Sequence, residues 1–399
     1  MAKRESAKRG TKTSGFGVSK RESHDASKFY KSRLYEGLPK EDKDAVEPPP
    51  PAEIPPWANK IYCADSRDMS FIPDNSIALM VTSPPYNVSK DYDADLTLKE
   101  YLDLLAAVFA ETKRVLIPGG RMCINVAGVG RKPYIPLHHY IGQICTHDLG
   151  LLMRGEIIWD KSASSGVSCA WGSFRSPTNP TLRDVHEYIL VFSKGKYRRD
   201  ARPQLQTTEA QGSREEERTA KAQRRGDVLV GAQCVRPQSS RRDATAEPVE
   251  GKVSEPREGD AAAISAAGGF GISSEEFTEY TKSVWRFPTV SAKRAGHPAP
   301  FPEELPARLI KLYTFPGVYS DISASAHGGP CESSQSKKLI AAPDIVLDPF
   351  CGSGTTCIAA AKLRRGYVGV DKDEEYCARA QTNISAVGAA GSRPYLQSN

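Results

Sequence analysis

The residues best suited to chemistry fall in two short stretches far apart in the chain. Near the C-terminus, Asp348-Pro349-Phe350-Cys351-Gly352-Ser353-Gly354-Thr355-Thr356 follows an apolar run at 345–347 and precedes a helical composition at 359–363. Gly352 and Gly354 therefore sit in a strand-to-helix turn. Glycine there lets the backbone come close to a ligand, and the amides of a helix N-terminus favour a negative group such as a carboxylate or phosphate. A second run, Gly366-Tyr367-Val368-Gly369-Val370-Asp371, reads as a strand ending in a carboxylate, as suits an acid that holds a ribose diol at the edge of a doubly wound sheet. The other stretch, Ser83-Pro84-Pro85-Tyr86, follows an apolar strand at 77–81. Its prolines fix a turn in advance, a carbonyl within it and the Ser83 oxygen can accept hydrogens from an amine, and Tyr86 offers a ring for stacking. No His or Asp lies at a spacing that would make Ser83 an activated nucleophile.

A sheet is needed to bring these stretches together, and the sequence supplies its strands. Residues 60–65 read as a strand ending in Asp65, and Pro73-Asp74-Asn75-Ser76 turns the chain into 77–81, so Asp65 stands on the edge where open α/β sheets bind ligands. Thr97-Leu98-Lys99-Glu100 matches a capping box. It starts a helix with Tyr101, Leu105, Val108, Phe109, Thr112 and Leu116 on one face, which Pro118-Gly119-Gly120 is expected to stop. Strand, helix and strand then follow at 121–126, 133–149 and 155–159, an alternation that predicts a parallel sheet. A Gly-, Ser-, Asn- and Pro-rich loop at 170–180 carries Trp171, Phe174 and Arg175 and leads through His186-Glu187, read as serving their strand and loop, into a strand at 188–192. A short helix at 275–280, a short strand at 284–287 and an amphipathic helix at 306–315 precede the glycine loop.

Composition bounds the rest. The 399 residues carry 26% charged and 8% aromatic side chains, enough for one large α/β domain with polar segments. No apolar run approaches the roughly 20 residues that span a bilayer, and no signal-peptide core opens the chain, so a cytoplasmic protein is expected. Nine scattered cysteines without a C-x-x-C pair fit reduced thiols, and no metal site is expected. Residues 1–43 hold 12 Lys/Arg against 6 Asp/Glu, an excess as large as the net charge of +6. Such a tail is either attracted to a polyanion or simply solvated. Around Tyr30, Leu34 and Tyr35 a small patch is expected to dock on the domain, with stacking on nucleic acid as the other option, and the prolines at 48–51 and 55–56 read as a stiff linker.

The two chemical stretches together resemble the paired signatures of amino-group DNA methyltransferases, which use S-adenosylmethionine. Cys63-Ala64-Asp65 and Gly296-His297-Pro298-Ala299-Pro300-Phe301-Pro302 add to the match, and the order, catalytic motif first and cofactor loop last, is similar to the circularly permuted β group. The resemblance covers about residues 58 to 200 and 273 to 390. It implies an α/β fold, a doubly wound, mostly parallel sheet of the class I S-adenosylmethionine-dependent methyltransferase type, circularly permuted and with a flexible insert. The implied organisation is a tail and Pro-rich linker at 1–56, a catalytic half at 57–199, an insert or target-recognition region at 200–272, and a cofactor half at 273–390 with an insertion at 318–343.

The resemblance also implies roles. Ser83, Pro84, Pro85 and Tyr86 would hold a flipped base while its amine is methylated. Phe350, Gly352, Ser353, Gly354, Thr355 and Asp371 would hold the S-adenosyl-L-methionine, with Asp65 accepting from its adenine amine and His297, Pro298, Phe301 and Pro302 closing over its methionine end. Trp171, Phe174 and Arg175 are suited to stacking on a base or binding phosphate, or else pack in the ordinary way. The serine form of the catalytic motif leans toward cytosine N4, with adenine N6 as the alternative and an impaired DNA-binding module as another class. Double-stranded DNA is the expected partner; a cognate restriction endonuclease is optional, and no membrane is involved.

Overall fold

Each apolar run read as a strand joins one sheet in the computed structural model, which describes residues 30–86, 96–162, 172–200, 271–290, 301–321 and 337–389. In chain order the elements are β1 (Lys60–Cys63), β2 (Ile77–Thr82), α1 (Leu98–Val115), β3 (Leu116–Val126), α2 (Leu137–Gln143), β4 (Leu152–Asp160) and β5 (His186–Ser193). They continue with α3 (Ser274–Tyr280), β6 (Val284–Arg286), α4 (Glu304–Tyr313), β7 (Val318–Asp321), β8 (Lys337–Ala341), β9 (Ile345–Asp348), α5 (Thr355–Lys362), β10 (Gly366–Asp371) and α6 (Glu374–Ala389). Eight strands lie in the order β1-β10-β9-β2-β3-β5-β4-β6, while β7 and β8 form a separate antiparallel pair within the expected insertion.

The central strands β9 and β2 run parallel, with Leu79 opposite Val346 and Met80 opposite Leu347, and both are wholly buried. Strand alternation sends Met80 and Leu347 into one core with Leu105, Phe109, Met122 and Phe192, beneath α1 and α2. Leu79, Val81 and Val346 enter the other, with Leu305 and Leu309 of α4 and Ala359 and Ala360 of α5. From β9 the chain winds outward through β10, and from β2 it winds the opposite way through β3, so the line between β9 and β2 is the topological switch point. Ligands of doubly wound sheets bind at such a point, beyond the carboxyl ends of the strands.

Local structure departs from expectation in four places. The capping box at Thr97 and Glu100 is present, but α1 ends at Val115 because Leu116 turns extended and pairs with Ile77. Pro118-Gly119-Gly120 is therefore an irregularity inside β3 rather than a helix stop. Gly119 is required there, since its φ is +78° and a Cβ would meet the Arg198 carbonyl at 2.9 Å. The helix expected from 133 begins at Leu137, because Val129 and Ile135 exchange hydrogen bonds of 3.0 and 2.8 Å and hold the preceding residues in a loop. Strict parallel alternation also fails. β5 inserts antiparallel between β3 and β4, since no helix lies among the described residues that join β4 to β5.

The fourth departure is at the N-terminal side. Tyr30 and Leu34 do not dock; they are 63% and 74% exposed. The attachment is instead made by residues 41–51. Asp42 N donates to Gly195 O at 2.7 Å, Tyr197 N donates to Glu41 Oε1 at 3.0 Å, and Ala342 N donates to Pro51 O at 2.8 Å. Arg199 is buried between Glu47 and Asp344, 2.5 Å from each. Residues 1–29, most of the insert at 200–272, Trp171, His297 and Pro298 lie outside the described residues.

Candidate active site

Pairing of β9 with β2 puts the two chemical loops side by side, and two side-chain bonds staple them. Thr82 Oγ1 donates to Asp348 Oδ1 at 2.6 Å, and Thr356 Oγ1 donates to Val81 O at 3.3 Å. Asp348 is fully enclosed, and this burial pushes its carboxyl up to about 6. Phe350 N also donates to Asp348 Oδ1, at 3.2 Å, so this one oxygen ties the start of the glycine loop to the end of β2.

The glycine loop has the expected form. Gly352 and Gly354 take φ of +49° and +85°, and Gly354 caps α5, where a Cβ would lie 3.0 Å from the Cβ of Ala380. Gly352 N donates to Asp371 Oδ2 at 2.8 Å and Asp373 N to Asp371 Oδ1 at 3.1 Å, so the acid at the end of β10 also braces the loop beside it. Burial raises the Asp371 carboxyl above its ordinary value. Ser66 Oγ donates to Pro349 O at 2.5 Å, which joins the loop after β1 to the same wall.

These loops line one cleft of about 290 Å³. Ser83, Pro84, Pro85 and Tyr86 face it from the β2 side, and Phe350, Gly352, Ser353, Thr355 and Asp371 from the β9 and β10 side. Asp65 and Phe301 also line it. Asp65 is ion-paired with Arg67 at 2.5 Å, and that hydrogen bond holds its carboxyl below the usual range. Gly354 and Pro302 support the site without lining it. The first caps α5, and the second lies buried where its carbonyl accepts from Leu305 N at 3.0 Å. Phe174 and Arg175 are exposed on the 172–180 loop and stand outside the cleft lining.

Tyr86 is held from both ends of its hydroxyl. Ala127 N donates to that oxygen at 3.2 Å, and Ser83 Oγ lies 3.4 Å from it. Desolvation, and then the charge of Glu187, raise its phenol well above the ordinary value, so the ring stays neutral. Among the cleft residues to which the sequence assigns no site role are Asn125 at the end of β3, Trp159 on β4 and Glu187 on β5. Glu187 is corrected from a strand-supporting residue to a wall of the cleft, because β5 enters the sheet antiparallel and brings its N-terminal end to the ligand edge. The available signal was an amide or carboxylate at the end of an apolar strand, where only a polar neighbour makes burial tolerable.

A doubly wound, mostly parallel sheet with a glycine loop and a proline-fixed acceptor loop meeting at its switch point defines the class I methyltransferase type of fold. The chain belongs to the DNA methylase family N6_N4_Mtase, whose model matches residues 77–382. It is accordingly a DNA methyltransferase of the amino-group kind, and its cofactor is S-adenosyl-L-methionine.

Relatives include the Type II methyltransferase M.MjaI of Methanocaldococcus jannaschii, 26% identical over 79% of this chain and 88% of that one. Another is M.BglII of Bacillus subtilis, 24% identical over 86% and 74%. Among solved structures, the PvuII DNA methyltransferase (cytosine-N4-specific) is 15% identical, covering 86% of this chain and 95% of that one, with a TM-score of 0.46.

The donor set fits the cofactor. Two positive-φ glycines admit close backbone approach, the first-turn amides of α5 have no intrahelical partner, Asp371 ends β10 while Asp65 lies two residues past the end of β1 rather than on the strand as expected, and Phe350 adds an apolar ring. Among the described residues, no cluster of His, Cys, Asp or Glu could hold a metal ion, and no helix is long and apolar enough to cross a membrane.

Proposed function

We propose that this protein methylates the N4 amine of cytosine in duplex DNA, with the target base turned out of the helix into the Tyr86 end of the cleft. The supporting observation is that the Ser83-Pro84-Pro85-Tyr86 loop and the glycine loop wall a single cleft. The serine form of the acceptor loop, by its likeness to cytosine-N4 members, favours cytosine over adenine.

When bound, S-adenosyl-L-methionine supplies a methyl group carried on a sulfonium. The first-turn amides of α5 beside Thr355 suit its carboxylate, Asp371 its ribose diol, and Asp65 with Phe350 its adenine, while Phe301 and the segment carrying His297 and Pro298 suit its methionine end. At the other end, the chain must manage a poor nucleophile, because the amine lone pair is delocalised into the ring. The Ser83 oxygen and a carbonyl of the prolyl turn take the amine hydrogens, and Tyr86, its hydroxyl anchored on Ala127, stacks on the base. Orientation of this kind supplies on the order of 7 to 11 kcal/mol of a barrier, so a preformed pocket outweighs a strong base.

Phe174 and Arg175, exposed on their loop, suit contact with the DNA. The Type II relatives support a place in a restriction-modification system, with a cognate endonuclease as partner. Nucleoside mass analysis of DNA incubated with the protein and labelled cofactor tests the reading. N4-methylcytosine is the expected product; N6-methyladenine would transfer the assignment to adenine, and an unlabelled nucleoside pool would overturn it. Ser83→Ala and Tyr86→Ala should lose turnover while binding cofactor as before.

A further inference from the structure

The base end of the cleft opens beside two loops whose exposed residues the reading above uses only in part. One joins β3 to α2 at 127–136 and the other precedes β5 at 172–185, and both leave their strands at the cleft edge, where Asn125 and Glu187 line the wall. Ala127 N anchors the Tyr86 hydroxyl at 3.2 Å. Next to it, a Cβ on Gly128 would meet the Tyr134 hydroxyl at 1.9 Å, so Tyr134 lies across the loop directly after the Tyr86 anchor. From the same loop Arg131 reaches the second one: its guanidinium donates to Leu182 O and pairs with Asp184 at 2.6 Å. The Leu182 backbone is thereby fixed to the rim of the base end, five residues and at most about 18 Å from Glu187.

Its side chain is left in solvent. Leu182 is 86% exposed, more than any other large apolar residue among the described ones. Single apolar residues scattered over a surface are ordinary, but this one stands on a braced backbone beside a ligand cleft and keeps in water an area that a partner would bury. The charges around it define that partner. The two loops carry Arg131, Lys132, Arg175 and Arg183 against Asp184 alone, which suits a polyanion. An apolar side chain among such cations is the combination that enters a nucleic-acid stack and holds two base steps apart.

We propose that Leu182 is a positioning residue that enters the duplex where the target base has left the stack, and that Arg131 holds its backbone in place for this. The proposal rests on the reading that the base turns out of duplex DNA into the Tyr86 end of the cleft. A base that turns out leaves a gap, and its return to that gap competes with methyl transfer. A leucine in the gap restores part of the lost stacking and blocks the return. Leu182 does not line the cleft, so it acts through the occupancy of the turned-out state rather than on the amine or the cofactor.

The test uses the full chain with labelled cofactor and unmethylated genomic DNA, either native or heat-denatured to single strands, and follows kcat, KM for DNA, cofactor Kd and thermal midpoint. On native DNA Leu182→Ala should lower kcat roughly fivefold or more, while Leu182→Met, which keeps an apolar side chain of similar volume, should exceed the alanine variant by at least about threefold. On denatured DNA, where no duplex draws the base back, Leu182→Ala should match wild type within about twofold. Cofactor Kd and midpoint should not move, because the side chain lies in solvent.

A smaller loss of kcat on native DNA, an equal loss on both forms of DNA, or a change confined to KM overturns the proposal. Should wild type prove inactive on denatured DNA, the alanine and methionine variants on native DNA decide, and equal loss in the two overturns it. Wild-type protein that methylates no base amine in native DNA would instead remove the underlying reading, and this inference with it, which the wild-type nucleosides reveal by themselves.

Discussion

Asp348→Asn is the sharpest probe of how the two loops are joined. Asp348 lies inside the sheet, and desolvation moves its carboxyl from an ordinary 3.8 to about 6. A folded-state value above the unfolded one means that the native state binds the proton more tightly. Stability is therefore complete below about pH 4 and falls as the pH rises through 6. By the linkage relation the loss amounts to about 3 kcal/mol once the group is ionised in both states.

Asparagine keeps an oxygen for the Thr82 hydroxyl and the Phe350 amide but cannot ionise. Any pH-independent cost of the substitution cancels when one variant is compared at two pH values. Denaturant unfolding at pH 4 and pH 8 should show wild type losing between about 2 and 3 kcal/mol more than Asp348→Asn over that interval. Equal pH dependence in the two proteins would refute the claim that this carboxyl is buried in a poorly solvated seam between β9 and β2.

Other outcomes follow from single contacts. Gly354→Ala forces a side chain into φ +85° and within 3.0 Å of the Ala380 Cβ, so it should destabilise by about 1–3 kcal/mol and weaken cofactor binding in calorimetry. Asp371→Ala removes the acceptor of Gly352 N and Asp373 N, and should raise the cofactor Kd more than it changes the thermal midpoint. Arg199→Ala leaves the buried carboxylates of Glu47 and Asp344 without their cation and should cost about 3–5 kcal/mol. Limited proteolysis should then cut near residues 41–51, which that arginine anchors.

Local chemistry was legible in the residues themselves. A capping box at Thr97 and Glu100, glycines that must adopt positive φ, and apolar runs of strand length each depend on neighbours within a few positions, and the structure contains all of them. The end of α1 departs from the local pattern because sheet pairing of Leu116 with Ile77 outweighs the helix-stopping signal of Pro118 and the glycines after it. Glu187 departs from its local pattern for a similar reason. Its role depends on which way β5 runs, and no local pattern states that.

Membership of the cleft was decided only in three dimensions. Ser83 and Phe350 were recognisable alone, yet their meeting depends on β2 lying beside β9, across 266 residues between Thr82 and Asp348. Asn125, Trp159 and Glu187 belong to no short motif and reach the cleft because three different strands end at one edge of the sheet. Sequence thus settled the chemistry available at each loop. Only the strand order, chosen by how apolar faces are buried on both sides of the sheet, settled which side chains share a cavity and which of their hydrogen-bonding atoms remain for a ligand.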